Sequence, residues 1–351
     1  MKYVIIGNGT AAVGCIEGIR SVDLTGDITV ISAEGHHTYS RLLISYLLQG
    51  KTDRERMKYR SDDFYEKNGC TLLLSRTATG IDPEARSVQL SDGTSIFYDR
   101  LLIATGSVPF IPPTPGLDTV EKQYTFLSLD DADSLEKAIR PDSRLLIIGA
   151  GLIGLKCAEG LHWRVKSIQV VDMADRILPS ILNAEGSALV QRHLEQVGIH
   201  FHLSDTVSKY AGSNTVLQSG AEIGFDILVT AVGVRPCTAL AENAGITVHR
   251  GIVTDTSGHT NMEGIYAAGD CAESHDISSG EDRVLALLPN AYLQGECAGI
   301  SMAGGRKKFD NAIPMNAIGF LGLHILSAGT YAGDMYREST DEEYKMLYTK
   351  D

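Results

Sequence analysis

The sequence predicts an α/β protein that contains two three-layer folds, each a parallel sheet covered by helices. The first observation is a repeat, because the stretch VIIGNGTAAVGCIEGI from Val4 returns as LIIGAGLIGLKCAEGL from Leu146. The second is that each copy runs from an apolar segment through paired glycines into helical spacing, the order that opens a βαβ unit. The third is the length of 351 residues, which suits two or three domains.

Composition narrows the class of protein. Hydrophobic residues make up 43% of the chain and charged residues 21%, which is ordinary for a globular protein. The net charge of −13 argues against nucleic acid or an anionic membrane as partner. Met1 to Ile6 runs directly into an apolar strand, and the apolar stretch NAIGFLGLHILSAG is too short to cross a bilayer. We therefore expect a cytoplasmic protein without a signal peptide.

The glycines of each copy have separate tasks in a Rossmann-like turn. In the first copy, Gly7 permits the tight turn after the strand and Gly9 lets the backbone approach a pyrophosphate. Ala12 is the small residue where the helix packs on the strand. The corresponding residues of the second copy are Gly149, Gly151 and Gly154.

An acidic residue follows each copy at the distance that dinucleotide sites require. ITVISAE ends in Glu34 and IQVVD ends in Asp172, and a carboxylate there accepts hydrogen bonds from an adenosine ribose. The same carboxylate would repel a 2′-phosphate, so the second site should prefer NADH to NADPH. One such motif could be a ligand-free turn, but two complete copies favour two dinucleotides. Two nicotinamides would accomplish little together, so one dinucleotide should be a flavin.

Further segments resemble the two-dinucleotide flavoproteins of the pyridine nucleotide–disulfide oxidoreductase type. LLIATGSVP from Leu101 and TAVGVRP from Thr230 resemble the segments by which the chain leaves the FAD and NAD domains of that family. GIYAAGDCA from Gly264 resembles its second FAD fingerprint, and LLPNAYLQGECAG from Leu287 resembles the helix that points at the flavin. The resemblance runs in the family's order over nearly the whole chain.

The resemblance implies the domain boundaries. The FAD-binding domain would comprise residues 1–110 and 240–308, with the NAD-binding domain, 111–239, inserted between them. Residues 309–351 would form a partial α+β interface domain. Its last stretch, EEYKMLYTKD, looks like a strand that begins and has no return, so this domain is short or truncated and a homodimer is uncertain.

The resemblance also implies binding residues. FAD would contact fourteen positions, namely Gly7, Gly9, Thr10, Ala11, Glu34, Arg41, Ala78, Ala104, Thr105, Gly106, Gly269, Asp270, Pro289 and Asn290. NAD would contact Gly149, Gly151, Leu152, Ile153, Asp172 and Gly233.

The cysteines argue against thiol chemistry. No cysteine lies between Cys15 and Cys70, where relatives place a redox cysteine beneath the flavin, and disulfide exchange needs a thiolate there. Cys15 and Cys157 occupy equivalent helix positions and should be packing residues. No C-x-x-C pair is present, and the adjacent histidines His36 and His37 would point to opposite faces of a strand, so we predict no metal site.

Two residues are candidates for a role in catalysis. YSRLLIS resembles the FAD-binding region of NADH-dependent nitrite reductases and of NADH:rubredoxin reductases. This resemblance implies that Arg41 lies near the phosphates or the ring of FAD; the alternative is a surface arginine. Lys156 stands where many relatives have glutamate beside the nicotinamide, and the alternative is a lysine that extends to solvent. His324 could cover the flavin or lie in a core or interface, and Trp163 is expected to pack.

These observations together predict an FAD-dependent NADH:acceptor oxidoreductase. Hydride would pass from NADH to flavin N5, and electrons would go on to a rubredoxin- or ferredoxin-like protein or to a partner subunit. One alternative is an NADH oxidase or diaphorase that reduces oxygen or a quinone directly. The other is a non-catalytic flavoprotein subunit or sensor.

Overall fold

The computed structural model describes residues 1–340 and 343–349. The helices are α1 (Thr10–Arg20), α2 (Ile44–Leu48), α3 (Phe64–Lys67), α4 (Leu129–Ala138), α5 (Leu152–Leu161), α6 (Ala184–Glu195), α7 (Ala239–Asn243) and α8 (Leu288–Met302). The first twelve strands are β1 (Lys2–Ile6), β2 (Asp27–Ile31), β3 (Cys70–Leu73), β4 (Ala78–Asp82), β5 (Ser87–Leu90), β6 (Ser95–Phe97), β7 (Arg100–Ile103), β8 (Ser107–Pro109), β9 (Gln123–Tyr124), β10 (Arg144–Ile148), β11 (Ser167–Asp172) and β12 (Ile199–Leu203). The others are β13 (Val207–Ala211), β14 (Asn214–Leu217), β15 (Glu222–Gly224), β16 (Ile227–Thr230), β17 (Val234–Pro236), β18 (Ile265–Ala267), β19 (Ser274–Asp276), β20 (Glu281–Arg283), β21 (Met315–Phe320), β22 (Leu323–Ala328), β23 (Asp334–Ser339) and β24 (Tyr344–Thr349).

The chain forms two compact units. Unit 1 comprises Met1–Ser40, Met57–Val108 and Pro236–Pro314. Unit 2 comprises Arg41–Arg56, Pro109–Arg235 and the described residues from Met315 onward. Each unit contains one copy of the repeat.

The centre of unit 1 is a five-stranded parallel sheet in the order β18-β7-β1-β2-β3. Strand β1 is central and almost wholly buried, as its unbroken apolar run predicts. In α1, Val13, Ile16 and Ile19, which recur at helical spacing on one face, have no exposed surface. Unit 1 also contains a separate antiparallel sheet, β4-β5-β6, and the hairpin β19-β20.

Helices α1 and α8 of unit 1 pack with their backbones in contact. A Cβ atom added at Gly295 would lie 2.0 Å from the carbonyl oxygen of Ala11, and one added at Gly14 would lie 2.3 Å from that of Tyr292. Gly18 and Gly299 repeat this arrangement one turn further along. Only glycine permits such an approach, so this helix pair has almost no freedom to slide.

Unit 2 repeats the same sheet with the order β12-β11-β10-β16-β9. Strand β10 is central and pairs in parallel with β11 and β16, as β1 does with β2 and β7. In α5, Leu155, Ala158 and Leu161, which recur at helical spacing on one face, are fully buried. A three-stranded antiparallel sheet, β13-β14-β15, follows. The repeat therefore produces the same architecture twice, and the predicted α/β fold class is confirmed.

The described residues from Met315 onward form two antiparallel strand pairs, β21-β22 and β23-β24. The prediction that EEYKMLYTKD forms a strand without a return is therefore wrong for residues 343–349, because β24 pairs with the preceding strand β23. The other residues of this stretch lie outside the described ones. His324, on β22, is exposed. Trp163 was expected to pack, but 62% of its surface is exposed just beyond the end of α5.

None of the helices in residues 1–340 and 343–349 combines the length and the apolar character that a membrane span requires.

Candidate functional site

The first glycine cradle lies at the carboxyl end of β1 in unit 1. Gly7 has φ +113°, and a Cβ atom there would lie 2.0 Å from the carbonyl oxygen of Ala104, so the turn requires glycine. Gly9 is extended, and an added Cβ would meet no atom within 4 Å. The space in front of Gly9 is therefore open to a ligand, which is the condition for close approach of a phosphate.

The second glycine cradle has the same geometry in unit 2. Gly149 has φ +112°, and its added Cβ would lie 2.3 Å from the carbonyl oxygen of Ala231. Gly151 faces open space, as Gly9 does. At Gly154 an added Cβ would lie 2.0 Å from the carbonyl oxygen of Gly149, which explains why this copy has glycine at its third small position.

The helices that follow the cradles begin without side-chain caps. No side chain accepts a hydrogen bond at the N-terminus of α1 or of α5. By contrast, Ser128 and Asp131 form a capping box on α4, and Asn183 caps α6. The first-turn N–H groups of α1 and α5, with the positive end of each helix dipole, are thus available to an anionic ligand.

The acids predicted to hold riboses are both present beside the cradles, but they are held differently. The Tyr39 hydroxyl donates to Glu34 Oε2 at 2.6 Å. Asp172 accepts two backbone hydrogen bonds, from Ala150 N at 2.6 Å and from Ala174 N at 2.8 Å. Ala150 lies between Gly149 and Gly151, so Asp172 also stabilises the glycine loop of the second cradle.

The other predicted FAD residues of unit 1 cluster at one edge of its sheet. Because β18, β7, β1 and β2 are parallel neighbours, the residues that follow them share the carboxyl edge, where ligands bind in such folds. Ser107 Oγ donates to Asp270 Oδ2 at 3.2 Å, and an added Cβ at Gly269 would lie 3.0 Å from the Cβ of Ala11. The remaining predicted residues here are Thr10 at the start of α1, Ala104, Thr105 and Gly106 after β7, and Pro289 and Asn290 in the first turn of α8.

Ala78, the last FAD residue predicted in this unit, lies slightly apart. Ala78 is the first residue of β4. Three residues earlier in the chain, Ser75 N donates to the carbonyl oxygen of Glu34 at 3.3 Å. Direct contact between Ala78 and a ligand remains a prediction.

Sequence reasoning missed a polar network around the first cradle. Asn8, between the two glycines, accepts a hydrogen bond from the Tyr65 hydroxyl at 2.5 Å and donates to the carbonyl oxygen of His36 at 3.3 Å. Burial raises the pKa of Tyr65 to about 12, so the phenol keeps its proton. The polar residue within an otherwise apolar G-x-G motif was the available signal, but its partners are 28 and 57 residues away.

The second cradle opens into a pocket of unit 2 with a volume of about 320 Å³. Gly149 and Asp172 line it, together with Met173 and with Val232, which precedes the predicted NAD residue Gly233. Gly233 has φ +127° and accepts a hydrogen bond from Phe110 N at 3.0 Å. Leu152 and Ile153 form the first turn of α5 beside this pocket. Two of the six residues predicted to bind NAD, Gly149 and Asp172, therefore line the pocket, and the other four are near neighbours of Gly149 or of Val232 in the chain.

Both residues predicted to act in catalysis lie in unit 2. Arg41 is exposed in a single 3-10 turn, and its guanidinium donates to the carbonyl oxygen of Leu127 at 3.2 Å. Lys156 is mostly buried on α5, where its ammonium pairs with Glu159 at 2.7 Å. The predicted alternative for Lys156, a side chain extended to solvent, is therefore wrong.

The cysteines are free thiols, and their surroundings disfavour thiolates. Cys15 and Cys157 are fully buried in α1 and α5, as predicted for packing residues, and burial raises the pKa of each well above its usual range. Burial also raises the pKa of Cys70 to about 11. No group of three or more His, Cys, Asp or Glu residues in the described part of the chain is arranged to hold a metal ion.

Comparison with known proteins assigns the chain to a family. The model of a family described as pyridine nucleotide-disulphide oxidoreductase matches residues 1–295. Subunit epsilon of an NADH-dependent phenylglyoxylate dehydrogenase from Aromatoleum evansii is 32% identical over 335 residues, which cover 94% of this chain and 79% of that protein.

Two further relatives can be compared with the predicted resemblance to nitrite reductases and NADH:rubredoxin reductases. A nitrite reductase [NAD(P)H] from Bacillus subtilis is 34% identical, but the match covers 94% of this chain and only 41% of that protein. A nitric oxide reductase FlRd-NAD(+) reductase from Escherichia coli is 34% identical over 77% of this chain and 72% of that protein. The predicted resemblance is confirmed.

A solved structure confirms the fold. A covalent complex of putidaredoxin reductase with putidaredoxin contains a chain that superposes with a TM-score of 0.91. It covers 99% of this chain and 86% of that chain at 24% sequence identity.

Proposed function

Since the chain belongs to the pyridine nucleotide-disulphide oxidoreductase family, whose members bind FAD and NAD(H), we propose that it oxidises NADH through FAD and delivers the electrons to another redox centre. The observation that carries this proposal is the pair of matching cradles, each with an open glycine, an uncapped helix and a positioned acid. A protein with a single dinucleotide would need only one of them.

We assign FAD to unit 1 and NADH to unit 2. Bound FAD would supply the ring that accepts a hydride from the nicotinamide of NADH and releases electrons to an acceptor. The chain's own contribution is positioning: the α1 and α5 N-termini hold the phosphates, and Glu34 and Asp172 hold the riboses. Hydride transfer itself needs no protein acid or base. The raised thiol pKa values and the lack of a cysteine between Cys15 and Cys70 support transfer without a disulfide.

The preference for NADH rests on Asp172. Its carboxylate is fixed by two backbone N–H groups, so it cannot rotate away from a ribose 2′-phosphate without losing both hydrogen bonds. A fixed negative charge at this point disfavours the phosphate that distinguishes NADPH.

The acceptor is proposed to be a protein or partner subunit. One relative is named as a subunit of a larger dehydrogenase and another as a reductase of FlRd, so chains of this type serve other redox components. The chain spans less than half of the nitrite reductase that it matches, which is consistent with an acceptor outside the matched region.

An anaerobic titration of the full, FAD-loaded chain with NADH and with NADPH tests the proposal. NADH should abolish the yellow flavin absorbance at much lower concentration than NADPH, without a thiolate–flavin charge-transfer band. The reduced protein is then mixed with rubredoxin, a ferredoxin, a quinone or air, and the fastest re-oxidation should come from a redox protein.

Each other outcome counts against part of this proposal. A chain that cannot be loaded with FAD contradicts the assignment of unit 1. Re-oxidation fastest with air or quinone supports an NADH oxidase or diaphorase instead. Bound FAD that NADH fails to bleach supports a non-catalytic subunit, and a preference for NADPH contradicts the role of Asp172.

A further inference from the structure

The turn of the β21-β22 hairpin has an unfavourable backbone. Two residues, Leu321 and Gly322, connect the strands, and both have positive φ, at 51° and 94°. Such two-residue turns favour Asn-Gly or Gly-Gly, because a residue with a Cβ atom is disfavoured in the left-handed region. Leu321 in this position therefore needs stabilisation from its surroundings. We call residues Gly319–Gly322 the hairpin tip.

Three successive residues of the hairpin tip bond to polar side chains of α5 and α6. Lys156 Nζ donates to the carbonyl oxygen of Gly319 at 2.5 Å. His193 Nε2 lies 3.0 Å from the carbonyl oxygen of Phe320, which can only accept, so Nε2 is the donor. Leu321 N donates to Glu159 Oε1 at 2.9 Å.

The ammonium of Lys156 is at the centre of this contact. Besides Gly319 it bonds Glu159 Oε2 at 2.7 Å and lies 4.9 Å from the ring of Phe320 and 5.0 Å from that of Tyr46. The side chains of Lys156 and Glu159 are only 16% and 2% exposed. A charge so enclosed has a heavy desolvation cost, which only this full set of partners offsets.

These contacts join three separate parts of unit 2. Tyr46 belongs to α2 in the segment that begins with Arg41, Glu159 belongs to α5, and Phe320 belongs to the hairpin and is fully buried. Lys156 lies one helical turn after Leu152, in the helix whose first turn faces the second cradle.

We propose that Lys156 is a positioning residue, which with Glu159 fixes the hairpin tip and α2 against α5 and so holds the nicotinamide-dinucleotide cradle in shape. This replaces the expectation that Lys156 acts on the cofactors directly. The inference rests on the proposed function only in assigning NADH to unit 2. The contact between helix and hairpin can be tested without NADH.

The test is hydrogen exchange of the full FAD-loaded chain, wild type against Lys156→Met. Methionine keeps the length of the lysine stem and removes the charge. Amides of the hairpin tip and of α2 should exchange at least about tenfold faster in the variant, because local opening there no longer breaks the ion pair. With NADH, the loss should fall more on KM for NADH than on the saturating rate of flavin reduction.

Two further variants make the result specific. Lys166→Met, the same substitution at an exposed lysine after α5, should exchange and react as wild type does. Lys156→Met combined with Glu159→Gln removes the unpaired buried charge while keeping an acceptor for Leu321 N, so it should fold even if the single variant does not. Its tip should still exchange faster than that of the wild type.

Unchanged exchange at the hairpin tip in Lys156→Met, or in the double variant if the single one does not fold, would overturn the proposal. A fall in the saturating rate with unchanged KM would overturn it too, since Lys156 would then act on hydride transfer itself. If NADH fails to reduce even the wild type, the proposed function fails while the exchange result still stands.

Discussion

The two copies of the repeat share one phosphate cradle but differ in what surrounds it. In unit 1 the cradle helix α1 is covered by α8 through backbone contacts at Gly14 and Gly295, which leave no room for side chains. In unit 2 the cradle helix α5 is covered by α2 and the hairpin tip, through an ion pair, hydrogen bonds and aromatic rings. Glu34 is held by a tyrosine side chain, whereas Asp172 is held by backbone N–H groups.

This difference suits a resident cofactor in one unit and an exchanging one in the other. Close backbone packing has a single low-energy arrangement and resists adjustment. Contacts through an ion pair and side-chain hydrogen bonds can open locally without any separation of the helix backbones. Each of the following predictions tests one side of this comparison against the other.

The largest effect is expected where the helices of unit 1 meet. Gly295→Ala places a Cβ atom 2.0 Å from the carbonyl oxygen of Ala11, so the helices must separate. We expect the free energy of unfolding to fall by about 3 kcal/mol or more and FAD to be lost, as judged by urea unfolding and flavin fluorescence. The matched change in unit 2, Gly160→Ala, brings Cβ only to 3.3 Å from Ser45 O and should have a much smaller effect. Equal losses would contradict the comparison.

Next come the open glycines of the two cradles. Gly9→Ala and Gly151→Ala should leave the free energy of unfolding almost unchanged, because both residues are extended and an added Cβ meets no protein atom within 4 Å. The added methyl would instead occupy ligand space. We expect Gly9→Ala to weaken FAD and Gly151→Ala to weaken NADH, each by about tenfold or more, in separate binding titrations. Either variant weakening both dinucleotides equally would show that the cradles are not independent.

The acid of unit 2 should decide between the two nicotinamide dinucleotides. Asp172→Asn keeps oxygen for one of the backbone hydrogen bonds and removes the charge. The ratio of kcat/KM for NADPH to that for NADH should rise by about tenfold, since one unfavourable charge contact is gone. The equivalent change in unit 1, Glu34→Gln, is the control and should leave this ratio unaltered while weakening FAD.

The smallest effect is expected at the tyrosine that holds Glu34. Tyr39→Phe removes a 2.6 Å hydrogen bond to a carboxylate that is partly exposed. We expect about 1 kcal/mol, or roughly a fivefold loss of FAD affinity, in a fluorescence titration. Tyr65→Phe, which removes the hydrogen bond from the Tyr65 hydroxyl to Asn8, provides the comparison within the same unit. An unchanged FAD affinity in Tyr39→Phe would mean that the hydrogen bond from Tyr39 to Glu34 does not contribute to FAD binding.

The sequence predicted what depends on neighbours in the chain. The glycines at 7, 9, 149 and 151, the helices after them and the acids at 34 and 172 follow from local spacing, because a strand–turn–helix unit is defined within about thirty residues. Parallel pairing of the strands then follows from the βαβ order. Cys15 and Cys157 could be assigned to packing because the repeat places them at the same helix position.

What depends on distant partners was not predictable. The surroundings of Lys156 include Tyr46 and Gly319, which are more than one hundred residues away in either direction. A lysine in an otherwise apolar helix is compatible with a catalytic, a solvent-facing or an ion-paired side chain, and only tertiary contact distinguishes them. Trp163 is the converse case, since a large aromatic residue next to a buried helix carries no sign of which side it will face.

The uncapped N-termini of α1 and α5 have a consequence for heat resistance. Backbone N–H groups that a dinucleotide satisfies contribute to the folded state only when the dinucleotide is bound, so ligand concentration enters the melting temperature by mass action. FAD should therefore raise the Tm of the first unit and NADH that of the second. The thermal stability of this chain should therefore depend on the concentrations of the two dinucleotides as much as on the packing of its core.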